Sequence, residues 1–125
     1  MKKVLVALLI SITALYVSCK KDVDGVSEIY GTWKLTEVWV DPGDGSGTYR
    51  PTSGPDKYIS FDKSGKIEGE AFSEALTYKI LDSVKLEFTL KDNPNPMIVR
   101  YKITATTLEI NPPCIEGCGL RFIRK

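Results

Sequence analysis

The alternation of apolar and charged residues between Val84 and Lys91 is the feature that most limits what this chain can fold into. Its apolar positions are Val84, Leu86, Phe88 and Leu90, with charged or hydroxyl side chains between them. A period of two places these four side chains on one face of a β-strand and the charges on the other. No stretch after residue 30 sustains a helical period. The folded part is therefore expected to be all-β.

Similar alternation marks seven further strands along the chain. They centre on Trp33 to Val40, Ile59 and Phe61, Ile67, Leu76 to Ile80, Met97 to Ile103, Leu108 and Ile110, and Leu120 and Phe122. Short turns at 62–65 and 82–83 and a longer loop at 92–96 favour consecutive pairing. We expect an eight-stranded antiparallel up-and-down meander closed into a small barrel. Because the residues in inward phase are large, the interior is expected to be largely filled.

The N-terminus has the organisation of a secretory signal. Lys2 and Lys3 precede an apolar run over 4–17, and Ser18 and Cys19 follow it. The run is shorter than the roughly 17 to 25 residues of a membrane-spanning helix, and a polar leader comes next. We therefore expect a signal peptide over 1–18, a flexible tether over 19–29 and one barrel domain over 30–125.

Residues 16–19, Tyr-Val-Ser-Cys, resemble a lipobox, the motif read by lipoprotein signal peptidase. A small residue precedes the cysteine, and Tyr16 stands where leucine is usual, as in the looser lipoboxes of Bacteroidota. The resemblance implies lipid on Cys19 and a membrane as partner, in the cell envelope and at the outer membrane, on its periplasmic face or at the cell surface. Ordinary signal-peptide cleavage is the alternative.

Residues 31–33, Gly-Thr-Trp, at the start of the first strand resemble the Gly-x-Trp signature of lipocalins. In that family the tryptophan closes one end of the barrel and an arginine near the last strand packs across it. The resemblance gives these roles to Trp33 and to Arg121, with Arg124 as the alternative. Segments 33–38, 41–49 and 114–122 together look like the lipocalin-like domain of Bacteroidota lipoproteins. Most of that family has no assigned activity.

Composition and charge exclude several functions. The chain has no histidine, which removes Ser-His-Asp and Cys-His catalysis and the commonest zinc ligand. The basic residues of its predicted strands are spread singly, so nucleic-acid binding is not expected. A glycine-rich loop after Asp41 offers oxygen ligands, but Thr52 stands where a calcium loop needs its bidentate acid. We expect no metal, no cofactor and no enzymatic activity.

Cys114 and Cys118 remain once Cys19 carries lipid. In an oxidising compartment two such cysteines are expected to form a disulfide. It would staple the turn before the last strand. Two thiols without histidine do not complete a tetrahedral metal site.

Glu37 is the most ambiguous position for binding. Unbroken alternation would turn it into the barrel with Trp33 and Trp39, whereas a bulge would send it to solvent and bring Val38 and Val40 inward. Glu37, Trp39, Tyr49 and Phe72 are the candidate ligand-binding residues at the barrel mouth. The leading function is binding of a small, partly apolar molecule there. The alternative is a structural or protein-interaction module with a filled barrel; its protein partner is not indicated.

Overall fold

The computed structural model describes residues 28–115 and 117–125. The predicted signal peptide, the predicted lipidation of Cys19 and most of the predicted tether lie outside these residues. The strands are β1 (Gly31–Val40), β2 (Thr48–Pro51), β3 (Tyr58–Phe61), β4 (Ile67–Glu68), β5 (Ala75–Ile80), β6 (Lys85–Leu90), β7 (Asn93–Ile103), β8 (Thr107–Asn111) and β9 (Leu120–Arg124). A 3-10 helix covers Glu70–Phe72.

The strands form one antiparallel sheet in the order β4-β3-β1-β9-β8-β7-β6-β5, with β2 paired to β1. Along this path, β3 pairs with β4, and each strand from β5 to β9 pairs with the next in sequence. β1 is different, because it pairs with both β9 and β3. The ends of the sheet meet where Lys66 bridges Thr77 and the Tyr78 N–H donates to the Gly65 carbonyl at 2.8 Å. The predicted all-β meander is confirmed as a nearly closed, lipocalin-like barrel.

A ninth strand, β2, was not predicted, because glycine and proline surround it. It pairs with the upper half of β1, where Trp39 lies opposite Tyr49 and Val38 opposite Arg50. The lower half of the same β1 edge pairs with β3. We call the end of the barrel at which β1 and β8 end the mouth. β2 extends the barrel wall on one side of this mouth.

The barrel interior is filled by large side chains. Those with less than 2% of their surface exposed are Trp33, Phe61, Phe88, Phe122, Ile59, Leu86, Leu108, Ile110 and Val99. They come from β1, β3, β6, β7, β8 and β9, so the core is shared around the barrel. All described strands and buried side chains lie between Ile29 and Arg124. A chain that begins at residue 20 therefore contains the whole barrel.

Trp33 closes the end of the barrel opposite the mouth, and Arg124 packs across it. The Arg124 guanidinium carbon lies 4.1 Å from the centre of the indole ring, and its nitrogens donate to the carbonyls of Glu28, Tyr30 and Ala105. The assignment of this role to Arg121 is wrong. A register shift in β1 leaves Arg121 opposite Glu37, on the outer surface nearer the mouth.

The alternation pattern predicts the wrong burial for some residues beside a register shift and in a hairpin that extends beyond the barrel. A shift between Ala75 and Thr77 buries Ala75 and leaves Leu76 exposed. Ile80 and Val84 are exposed because they flank the turn beyond the barrel end. The loop expected at 92–96 is shorter, since Asn93 already pairs with Leu90.

Cys114 and Cys118 are joined by a disulfide, as expected, with their Cα atoms 6.0 Å apart. The bond closes the segment between β8 and β9. The C-terminal end of this segment lies at the mouth, over the end of β1, because the backbone N–H of Trp39 donates to the Gly119 carbonyl at 2.8 Å.

Candidate functional site

The bulge in β1 decides where the predicted binding residues lie. The pairing of β1 with β9 shifts between Leu35 and Glu37. Leu35 is buried and Val38 packs against the core, so Glu37 and Trp39 face outward. Of the two arrangements left open by the sequence, the one with Glu37 outside the barrel is found.

Glu37, Tyr49 and Arg121 meet on the outer surface in what we call the outer cluster, together with Glu109 and Trp39. Arg121 places its guanidinium carbon 3.5 Å from the centre of the Tyr49 ring. Its Nη1 lies 3.2 Å from Glu37 Oε2 and its Nε 3.2 Å from Glu109 Oε2. The Trp39 ring meets the Tyr49 ring edge to face at 5.2 Å. These contacts tie β1, β2, β8 and β9 together.

The charged groups of the outer cluster are paired with one another, since Arg121 contacts the carboxylates of both Glu37 and Glu109. Burial favours the protonated form of Glu109, but hydrogen bonds from Asn111 and Arg121 and the Arg121 charge outweigh it and lower the pKa of Glu109. Burial and the Glu109 charge raise the pKa of Tyr49. A ligand would have to displace these pairs, so the cluster is better suited to holding strands than to binding.

Trp39 lies beneath two loops at the mouth. A Cβ added at Gly47 would lie 2.5 Å from the indole, so any larger residue there would displace the Trp39 ring. The buried Trp39 Nε1 has no hydrogen-bond partner among the described residues. Beside it is an open cleft of about 640 Å³ that also contacts Cys114, Ile115 and Cys118. The Ile115 side chain is fully exposed.

Phe72 lies apart from the other three candidates. It ends the 3-10 helix, and its ring packs against the Phe88 ring at 5.3 Å. Phe72 thus belongs to the apolar packing at the top of the core. The expectation that it would join Trp39 and Tyr49 at an exposed rim is wrong, because their strands turn those two rings to the outer surface.

A second site, which we call the mouth cleft, lies on the inner side of β1 and β2. Its volume is about 370 Å³. Its lining residues are Leu35, Val38, Val40, Arg50, Pro51, Thr52, Ser53, Pro55 and Lys57. The chain between β2 and β3 forms the second wall, held to β1 by the Thr52 N–H on the Thr36 carbonyl and the Leu35 N–H on the Lys57 carbonyl, both at 2.9 Å.

The mouth cleft combines an apolar floor with two cations. Val38 and Val40 are turned toward it by the β1 bulge, and Arg50 and Lys57 stand in its walls. None of the ion pairs in the described part of the chain includes Arg50 or Lys57. The arrangement can receive a small molecule that is mainly apolar and carries a polar group.

The sequence interpretation missed Arg50 and Lys57 and did not choose between the two faces of β1. One signal was present, because Val38 and Val40 are as apolar as the residues on the opposite face. Alternation of Thr48, Tyr49 and Arg50 was too short to reveal β2. The contact between β1 and the chain after β2 depends on tertiary structure, so it left no local pattern.

Comparison of the chain with protein-family models, curated proteins and solved structures found no match. Within 28–115 and 117–125, no three cysteine or acidic side chains gather as they would to hold a metal ion. In the same residues, no helix has the length and apolar character needed to cross a membrane.

Proposed function

We propose that this chain is a non-catalytic lipoprotein of the cell envelope that binds a small, partly apolar molecule in the mouth cleft. Lipid on Cys19 would hold it at the outer membrane, and the tether would separate the barrel from the bilayer. The proposal of an anchor is supported by the apolar run over 4–17, Ser18 and the cysteine after it. The absence of histidine from the sequence supports a binding role over catalysis.

The mouth cleft is the single observation that carries the binding proposal. Its volume of about 370 Å³ is within the range of roughly 300 to 1,000 Å³ found for small-molecule sites. Its floor consists of Leu35, Val38 and Val40. Its walls contain proline rings and the aliphatic parts of the Arg50 and Lys57 side chains. Apolar surface of this kind gains free energy when a ligand covers it.

The filled core supports a ligand site at the mouth and not in the barrel interior. Ile110 and Phe88, beneath the mouth, have essentially no exposed surface, and Phe72 covers Phe88. A ligand that entered more deeply would have to displace close-packed side chains. Binding is therefore expected to be shallow and limited to small molecules.

An uncharged fluorescent probe, N-phenyl-1-naphthylamine, tests the proposal on a chain of residues 20–125. We expect saturable binding that is lost in Val40→Trp, because the indole would fill the cleft. Ile98→Trp is the matched control: Ile98 is 41% exposed on the outer side of β7, and Val40 is 39% exposed. Absence of saturable binding, or equal loss in both variants, would contradict the proposal.

A protein-interaction module is the second candidate, and Ile115 favours it. Its fully exposed side chain stands beside Trp39 and the disulfide at an open cleft. Contiguous exposed apolar surface marks contact sites, and Ile115 extends the apolar lining of this cleft. A photo-crosslinking residue at position 115 should form one discrete protein adduct in intact cells, and the same residue at position 98 should form none. Equal labelling at both positions would remove this candidate.

A further inference from the structure

We propose that the mouth cleft selects an amphiphile with a single anionic group, such as a carboxylate, held by Arg50 and Lys57. The inference rests on the proposed function and assigns a ligand class to the same site. It starts from the two cations that line the cleft without an acidic partner among the described residues.

Two acids that neighbour these cations, one in sequence and one in the strand pairing, are paired with other residues. Asp56, beside Lys57, pairs with Lys34 at 3.1 Å. Glu37 pairs with Arg121 at 3.2 Å, on the opposite face of the sheet. No carboxylate lines the cleft, so an anion from solution would meet two positive charges and no opposing negative charge.

The position of Arg50 in β2 places its charge next to the apolar floor. Arg50 lies directly opposite Val38 in the antiparallel pair, so both side chains share the inner face. Lys57 enters from the facing wall, immediately before β3. An anionic group between the two walls would leave its apolar part over Val38 and Val40. Charge-assisted hydrogen bonds of this kind are stronger than neutral ones.

Leu35 sets the depth of the site. Only 6% of its surface is exposed, and its N–H is bonded to the Lys57 carbonyl, so the floor is closed at this level. The apolar part of the ligand must therefore be a short chain or a compact ring. This distinguishes the site from one that takes up a long acyl chain in the barrel interior.

Isothermal titration calorimetry on residues 20–125 tests the inference with octanoate, octan-1-ol and octyltrimethylammonium, each of which has an unbranched chain of eight carbons. We expect octanoate to bind at least about tenfold more tightly than octanol, and the cation to bind most weakly. The double variant Arg50→Gln/Lys57→Gln should abolish the preference for octanoate, so that octanoate and octanol bind it with equal affinity.

The control is Lys85→Gln/Arg100→Gln, which removes the same net charge from an opposed pair on the outer side of β6 and β7. It should leave octanoate affinity within about twofold of wild type, because charges so far from the cleft act only through screened solvent.

Equal binding of octanoate and octanol in the wild type overturns the anionic selectivity while the proposed function stands. Failure of all three probes to bind overturns both. Equal loss in the two double variants would show a general charge effect and overturn the assignment to Arg50 and Lys57.

Discussion

Arg121 and Arg124 lie three positions apart in the same strand and have different tasks. Arg121 is exposed and forms ion pairs across the outer cluster. Arg124 is half-buried, covers the Trp33 ring and donates to three carbonyls of the segments that surround the closed end. The surroundings of each guanidinium, more than its charge, determine what it contributes to stability.

Arg124→Ala should lower the free energy of unfolding by about 3 kcal/mol, because it leaves carbonyl groups without donors and uncovers Trp33. Arg121→Ala should have a markedly smaller effect, since exposed ion pairs contribute little. Urea unfolding of the two variants checks this. A larger loss for Arg121→Ala would contradict the assignment of the closing role to Arg124.

Ionisation of the Tyr78 hydroxyl lowers the free energy of unfolding at alkaline pH. Its hydroxyl donates to the Asp62 carbonyl, and burial, followed by the nearby Tyr30 and Asp62, raises the pKa of Tyr78 to about 12. An unfolded tyrosine has a pKa near 10. The folded state therefore favours the neutral phenol, and this contribution is intact below pH 10 and lost as the pH rises through about 12.

Tyr78→Phe should lower the free energy of unfolding by about 1 kcal/mol at pH 8, where the hydrogen bond is intact. The difference between wild type and variant should shrink as the pH rises from 10 to 12. Urea midpoints measured in parallel across this range test the expectation. A difference that stayed constant or grew with pH would contradict it.

Among the elements, β1 shows both how far periodicity predicts structure and where it stops. Its first half has Trp33 and Leu35 inward, as alternation requires. The bulge before Glu37 then exchanges the faces. The sequence could pose this choice, since both faces of the second half carry large apolar residues, Trp39 on one and Val38 and Val40 on the other. The pairing with β9 that resolves it is formed by residues over 80 positions away.

The mouth side of β3 depends on a close approach at Gly69. This residue has a φ of 122°, and a Cβ there would lie 2.1 Å from the Tyr58 carbonyl oxygen. Gly69→Ala should therefore lower the free energy of unfolding by about 3 kcal/mol, through backbone strain and displacement of β3. Thermal unfolding is a suitable measurement.

Gly45 is the matched control for Gly69. It also has a positive φ, of 80°, but nothing lies within 4 Å of an added Cβ. Gly45→Ala should lower the free energy of unfolding by only about 1 kcal/mol. Equal effects of the two substitutions would show that the approach of Gly69 to β3 is unimportant.

The disulfide between Cys114 and Cys118 closes a short segment, so its effect on the unfolded chain is small. The double variant Cys114→Ser/Cys118→Ser should lose about 2 kcal/mol of stability and keep the fold. Far-ultraviolet circular dichroism and urea unfolding, with reduced wild type as the control, measure this. A variant without cooperative unfolding would show that the bond is needed for folding itself.

For the whole molecule, the order of strands was predictable and the proposed binding surface was not. Up-and-down pairing follows from short turns between alternating segments, as at 62–65 and 82–83. The mouth cleft arises where β1 changes partner from β3 to β2. That change depends on the path of the glycine- and proline-rich chain around β2, so alternation carries no signal for it.

Anchoring by Cys19 is expected for the full-length chain in the cell. Metabolic labelling with an alkyne fatty acid should mark the wild type, and Cys19→Ser should remove the label, because the proposed lipid is attached to this thiol. Ser18→Thr is a suitable control for a general effect of changing the cleavage region. Equal labelling of wild type and Cys19→Ser would contradict lipidation at this residue.

The central claim is that the barrel core is closed and that small ligands bind above it, in the mouth cleft. Methyl-detected NMR of residues 20–125, labelled at Ile, Leu and Val, tests this most directly during a titration with octanoate. We predict saturable shifts of the Val38 and Val40 methyl groups, with the Val99 and Ile110 methyl groups unchanged. Largest shifts at Val99 and Ile110 would reveal a deep pocket in the barrel, and the absence of saturable shifts at Val38 and Val40 would equally contradict the account.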